Sequence, residues 1–126
     1  MKIFKASNIV FGLLVAVFVL SACSAGSSAE ADFPTGRFSS SSERFISYEF
    51  NEDKTWAYLD AGAVQASGTY DVKDNQWIEN GTDECPYPGT YEYTFDGTNL
   101  SFKLVGEDEC APRKSATDGK TFVILK

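Results

Sequence analysis

From residue 33 onward, apolar and polar side chains alternate with a period of two. Ile46, Tyr48 and Phe50 alternate with Ser47 and Glu49; Tyr91, Tyr93 and Phe95 with Glu92 and Thr94; Leu100, Phe102 and Leu104 with Ser101 and Lys103. Successive side chains of a strand point to opposite faces, so each run makes a half-buried β-strand with one apolar face. Trp56 and Tyr58, then Val64, Ala66, Gly68, Tyr70 and Val72, then Phe122 and Ile124 continue the pattern less strictly. Turn formers separate the runs: Asn51-Glu52-Asp53-Lys54, Asp60-Ala61-Gly62, Lys73-Asp74-Asn75 and Asp96-Gly97-Thr98. They recur often enough to join consecutive strands as antiparallel hairpins. No stretch beyond the first segment carries a helical apolar stripe, and residues 106–120 read as one long irregular segment, pinned by Cys110 and stiffened by Pro112.

The runs near 36–40, 44–50, 55–59, 64–71, 76–79, 89–95, 99–104 and 121–125 amount to eight strands. An all-β, eight-stranded antiparallel up-and-down β-barrel follows, because closure removes the exposed edges that would otherwise recruit other chains. A two-sheet sandwich with the same strand order satisfies the pattern equally. Tyr48, Trp56, Tyr58, Tyr70, Tyr91, Tyr93 and Phe102 point inward together. A barrel of this size is just wide enough either to be filled by such rings or to hold one small ligand. Trp77 and Phe45 fall on the opposite parity and are expected to face outward as contact residues, unless a bulge resets the phase.

The chain opens differently. Lys2 and Lys5 precede an uncharged apolar run from Ile9 to Leu20. At about 12 residues it is too short to span a bilayer as a helix, and it reads as a secretory signal. Leu20-Ser21-Ala22-Cys23 follows directly, and Ala29-Glu30-Ala31 offers an ordinary A-x-A cleavage site further on. Ser24 to Asp32 holds only Ser, Ala, Gly and acids, the composition of a flexible tether. The organisation expected is a signal peptide over 1–22, a tether over 23–32 and one domain over 33–126.

The chain contains no histidine and three cysteines. That excludes Ser-His-Asp and Cys-His nucleophile pairs, His-ligated metals and four-thiolate sites, so no catalytic residue, cofactor or metal is expected. With Cys23 assigned to processing, Cys85 and Cys110 remain as an even pair in an exported chain, and a structural disulfide is expected. Neither lies in a C-x-x-C motif or beside a Lys or Arg that would depress its pKa. The net charge of −7 becomes −9 once Lys2 and Lys5 are removed. An acidic domain argues against nucleic acid and suits solubility or a cationic partner. The acids at Glu52-Asp53, Asp71 with Asp74, Asp83-Glu84 and Glu107-Asp108-Glu109 lack the D-x-D-x-D-G spacing of a calcium loop and read as solvated loop charge.

Leu20-Ser21-Ala22-Cys23 resembles the lipobox of bacterial lipoproteins, which implies a diacylglycerol on the Cys23 thiol and cleavage before it. The series Ser67-Gly68-Thr69-Tyr70-Asp71-Val72, Cys85, Gly89 to Gly97, Leu100-Ser101-Phe102 and Asp108 to Arg113 is similar to the small lipocalin-like domains of such lipoproteins. Gly36-Arg37-Phe38 is similar to the lipocalin G-x-W, with Phe in place of Trp. The resemblance implies a binding barrel without catalysis, with Arg113 stacked on Phe38 to close its floor; neutralisation of Glu107, Asp108 and Glu109 is the competing role for Arg113.

The function expected is therefore that of a monomeric lipoprotein of the cell envelope. Cys23 anchors it to the extracytoplasmic face of a bacterial membrane, the outer one if the host has two. Its barrel takes a small apolar or aromatic ligand. Capture of a basic protein such as lysozyme, and a purely structural envelope role, are the alternatives.

Overall fold

The computed structural model describes residues 32–126. The signal segment, Cys23 and most of the tether lie outside them. Eight strands follow one another: β1 (Gly36–Ser40), β2 (Ile46–Phe50), β3 (Thr55–Asp60), β4 (Ala63–Lys73), β5 (Gln76–Glu79), β6 (Gly89–Phe95), β7 (Asn99–Leu104) and β8 (Thr121–Ile124). A short helix, α1 (Ala111–Thr117), interrupts the last connection. Each strand pairs antiparallel with the next, and β1 pairs with β8 through Phe38↔Ile124, Ser39↔Val123 and Ser40↔Phe122. The sheet closes on itself as an up-and-down barrel, which eliminates the sandwich.

Hairpin chemistry explains the connections. Ala61 and Gly62 both have positive φ, as do Asp74 and Asn75, the geometry that lets two-residue turns follow the twist of their strands. Phe45, at φ 74°, stands in the left-handed region, so β2 begins at Ile46 and not at residue 44.

The alternating rings fill the interior. Phe38, Tyr48, Phe50, Trp56, Tyr70, Trp77, Tyr91, Tyr93, Leu100, Phe102 and Phe122 are all buried. Phe33, ahead of β1, closes one end, edge-on to Phe50 at 5.0 Å and to Tyr93 at 4.9 Å. Trp77 belongs to this core, fully buried and 5.3 Å from Phe102, which corrects the outward placement expected for it. The Asp74-Asn75 turn pairs Val72 with Trp77, and Trp77 in turn stands opposite Tyr91, so all three share the inner face. Phe45 is exposed, with the Arg44 guanidinium 5.1 Å over its ring.

The segment read as irregular contains α1. Pro112 stands in its first turn, where the missing N–H costs nothing, and Gly119 at φ 70° lies just beyond its end. Its buried residues, Arg113 and Thr117, lie four apart on one face. The stripe is polar, so apolar periodicity does not reveal it. No helix among the described residues is long and apolar enough to cross a membrane.

Candidate functional site

Up-and-down topology sorts the connections. One end of the barrel carries Phe33 and the turns at 51–54, 74–75 and 96–98. The other carries 41–45, 61–62, the loop 80–88, and the segment 105–120 with α1. Cys85 and Cys110 form a disulfide with Cα atoms 5.6 Å apart, stapling loop 80–88 to the start of α1. The helix lies across this second end, and the Thr117 hydroxyl meets that of Tyr48 at 2.9 Å.

Unequal strand lengths open the wall beneath the helix. β4 has 11 residues and β5 only 4, so 70–73 pair with β5 while the preceding stretch pairs with β3 alone. Loop 80–88 covers the gap: the Asn80 N–H donates to the Thr69 carbonyl at 3.0 Å, and Thr82 and Cys85 exchange backbone hydrogen bonds. A bulge inserts Gln65 where Ala66 faces Tyr58 and Val64 faces Leu59. The result is a cleft of about 210 Å³, walled by Tyr48, Trp56, Tyr58, Ala66 and Pro112, with Glu79 and Arg113 also in its lining and Glu84 at its rim. A second, more open cleft of about 250 Å³ adjoins it along Val64 to Ser67 and Thr82 to Glu84.

The rings stand at steep angles to one another. Tyr48 and Trp56 are 6.0 Å apart at 61°, Tyr48 and Tyr58 5.1 Å apart at 67°, forming a corner and not a stack. Burial pushes the Tyr48 phenol well above its ordinary range, and burial with the charges of Glu43 and Asp60 raises that of Tyr58.

Behind this corner lies a charged cluster. Arg113 donates through Nε and Nη2 to the two oxygens of Asp108 at 2.7 and 2.6 Å, and through Nη1 to Glu79. Glu79 also accepts the Gly81 N–H at 2.8 Å, and Asp108 accepts the Cys110 N–H and the Tyr91 hydroxyl. Burial alone would raise the Asp108 carboxyl; hydrogen bonds from Arg113, Tyr91 and Cys110 outweigh it and hold the group below its usual range. The Arg113 guanidinium, which burial alone would lower, is driven upward by the same two carboxylates. Burial and the neighbouring carboxylate of Asp108 keep Tyr91 neutral.

Of the two roles open to Arg113, these contacts favour the ionic one: it pairs with Asp108, and with Glu79 in place of Glu107 and Glu109, and does not stack on Phe38, which packs against Phe50 and Phe95. They also correct a second expectation. Asp108, read as solvated, has a fully buried side chain. Of the seven rings expected to face the interior together, Tyr48, Trp56 and Tyr58 line the cleft, while Tyr70, Tyr91, Tyr93 and Phe102 are packed in the core. No family model matches the chain, and no curated protein or solved structure is found to be similar to it. No group of acids and cysteines among the described residues is arranged to hold a metal ion.

The sequence pattern does not single out Glu79 until Trp77 is placed inward, since Glu79 lies two residues on and shares its face. The role of loop 80–88 depends on the difference in strand length, which no local motif encodes.

Proposed function

We propose that this protein is a lipid-anchored, lipocalin-like binding module of the bacterial cell envelope, attached through Cys23, that takes a small apolar or aromatic ligand in the cleft beneath α1. The observation that carries the reading is the corner of Tyr48, Trp56 and Tyr58 around about 210 Å³. An engineered apolar cavity of about 150 Å³ admits benzene, whereas drug-sized sites run from about 300 Å³ upward. The cleft therefore suits one substituted ring and not a lipid chain. The chain enters the barrel at the Phe33 end, opposite the end that carries the cleft.

The test is thermal unfolding against a panel of single-ring compounds. Ligand at about 100 times its dissociation constant stabilises by about 2.7 kcal/mol, a measurable rise in Tm. A Trp56→Phe or Tyr58→Ala variant that still folds should lose the response. No shift with any compound would contradict the reading.

Capture of a basic protein has a separate observation in its favour. The adjoining cleft runs beside the stretch of β4 paired on one side only, with Asp83 and Glu84 facing it, which suits strand addition by a cationic segment. Retention of lysozyme at low salt and its release at high salt would support this second reading.

A further inference from the structure

We infer that the cleft prefers a cationic ligand, an organic ammonium joined to a small apolar body; the inference deepens the binding reading above and rests on it. Three features converge.

The first is the charge already spent within the cluster. Among the described residues Arg113 is the only cation in the lining, and three of its five N–H groups are committed to Asp108 and Glu79. Two carboxylates, Asp108 behind the wall and Glu79 in the lining, already hold the guanidinium, and Glu84 stands at the rim as a third, so the four groups together carry two negative charges in excess. An anion entering here finds a compensated arginine and a surplus of like charge. A cation finds the reverse, inside a low-dielectric wall where such interactions are screened less than in water.

The second is the nature of the walls. Tyr48, Trp56 and Tyr58 meet at steep angles, so a group in the corner is met by rings from more than one direction. Ring faces are electronegative and attract ammonium groups, and the effect grows on desolvation. Aliphatic walls of equal area would not discriminate.

The third is size. The cleft holds one ring or its equivalent, so an ammonium carried on that ring shares the space with both the aromatic corner and the carboxylates of Glu79 and Glu84.

Benzylamine, benzyl alcohol and benzoate are nearly equal in size and differ in charge, and they form the probe set. Each is titrated into the intact protein while the indole and amide resonances of Trp56, Tyr58 and Glu84 are followed by NMR. Benzylamine is expected to bind about tenfold more tightly than benzyl alcohol, with benzoate weakest. Glu84→Gln, at an exposed position where folding is not at stake, should cut the preference for benzylamine over benzyl alcohol by about threefold. Tyr58→Leu should lose benzylamine selectively, since it keeps an apolar wall and removes a ring face.

Equal affinity for the amine and the alcohol, with both shifting the cleft resonances, would overturn the cation preference while leaving the cleft a binding site. Tighter binding of benzoate would do the same. If none of the three perturbs those resonances, the binding reading falls and the preference with it.

Discussion

The Arg113 guanidinium passes directly over the backbone of Gly89. A Cβ built on Gly89 would stand 2.6 Å from Nε and 2.8 Å from both Cζ and the Asp108 Oδ2. The first residue of β6 therefore has to lack a side chain so that the ion cluster can lie against the sheet.

Gly89→Ala should consequently destabilise the fold although its backbone needs no left-handed φ. Overpacking of this kind costs roughly 1–3 kcal/mol, and displacement of Arg113 from its carboxylates would add to it. Urea unfolding measures the loss. A cost below about 0.5 kcal/mol would mean that the guanidinium is not held where the structure puts it.

Arg113→Met removes the one cation shared by Glu79 and Asp108. Breaking a buried pair by deleting one partner typically costs about 3–5 kcal/mol, because the remaining charge is left uncompensated. A second substitution, Glu79→Met, should restore part of that stability. A double-mutant cycle checks it: additive losses from the two substitutions would show that they do not act as a pair.

Cys85→Ala with Cys110→Ala should cost about 3 kcal/mol, the loop-closure value for a crosslink spanning 25 residues. The same change frees loop 80–88 from α1, so ligand affinity should fall along with Tm. Calorimetry with a bound ring compound separates the two effects. Unchanged affinity would mean that the staple stabilises the fold without shaping the cleft.

The pH dependence follows from the signs of the shifts. Asp108 sits below its ordinary 3.8 in the fold, so its contribution is present above that value and is lost as pH falls through the depressed one. Tyr70 is pushed up to about 12, chiefly by burial, and Tyr48 and Tyr91 further still. Their contribution is complete below pH 10 and disappears as pH rises through the folded values. Stability should thus hold from about pH 4 to 10 with respect to these groups and fall on either side. Tyrosinate absorbance recorded beside circular dichroism checks the alkaline limb: these three phenols should ionise only as the fold is lost.

Much of the barrel could be read from residues alone because inward and outward side chains differ so sharply in chemistry. Tyr91, Tyr93 and Phe102 needed only parity to be placed. Parity alone misplaces Trp77, because it must be carried across the Asp74-Asn75 turn, where the pairing of Val72 with Trp77 decides the phase. Helix α1 is not legible for a different reason, since Arg113 and Thr117 supply its buried face through polar contacts that hydrophobic periodicity does not register. Asp108 looked solvated among its neighbours Glu107 and Glu109. Only the approach of Arg113 and Tyr91 distinguishes it. The cleft itself depends on β4 outrunning β5, a property of two strand lengths compared in space.

If a small ring binds in the space bounded by Tyr48, Trp56 and Tyr58, intermolecular NOEs from a bound single-ring ligand should show cross-peaks to the ring protons of those three residues and none to Tyr91, Tyr93 or Phe102 in the packed interior. Cross-peaks confined to exposed side chains such as Phe45 and Tyr87 would contradict it.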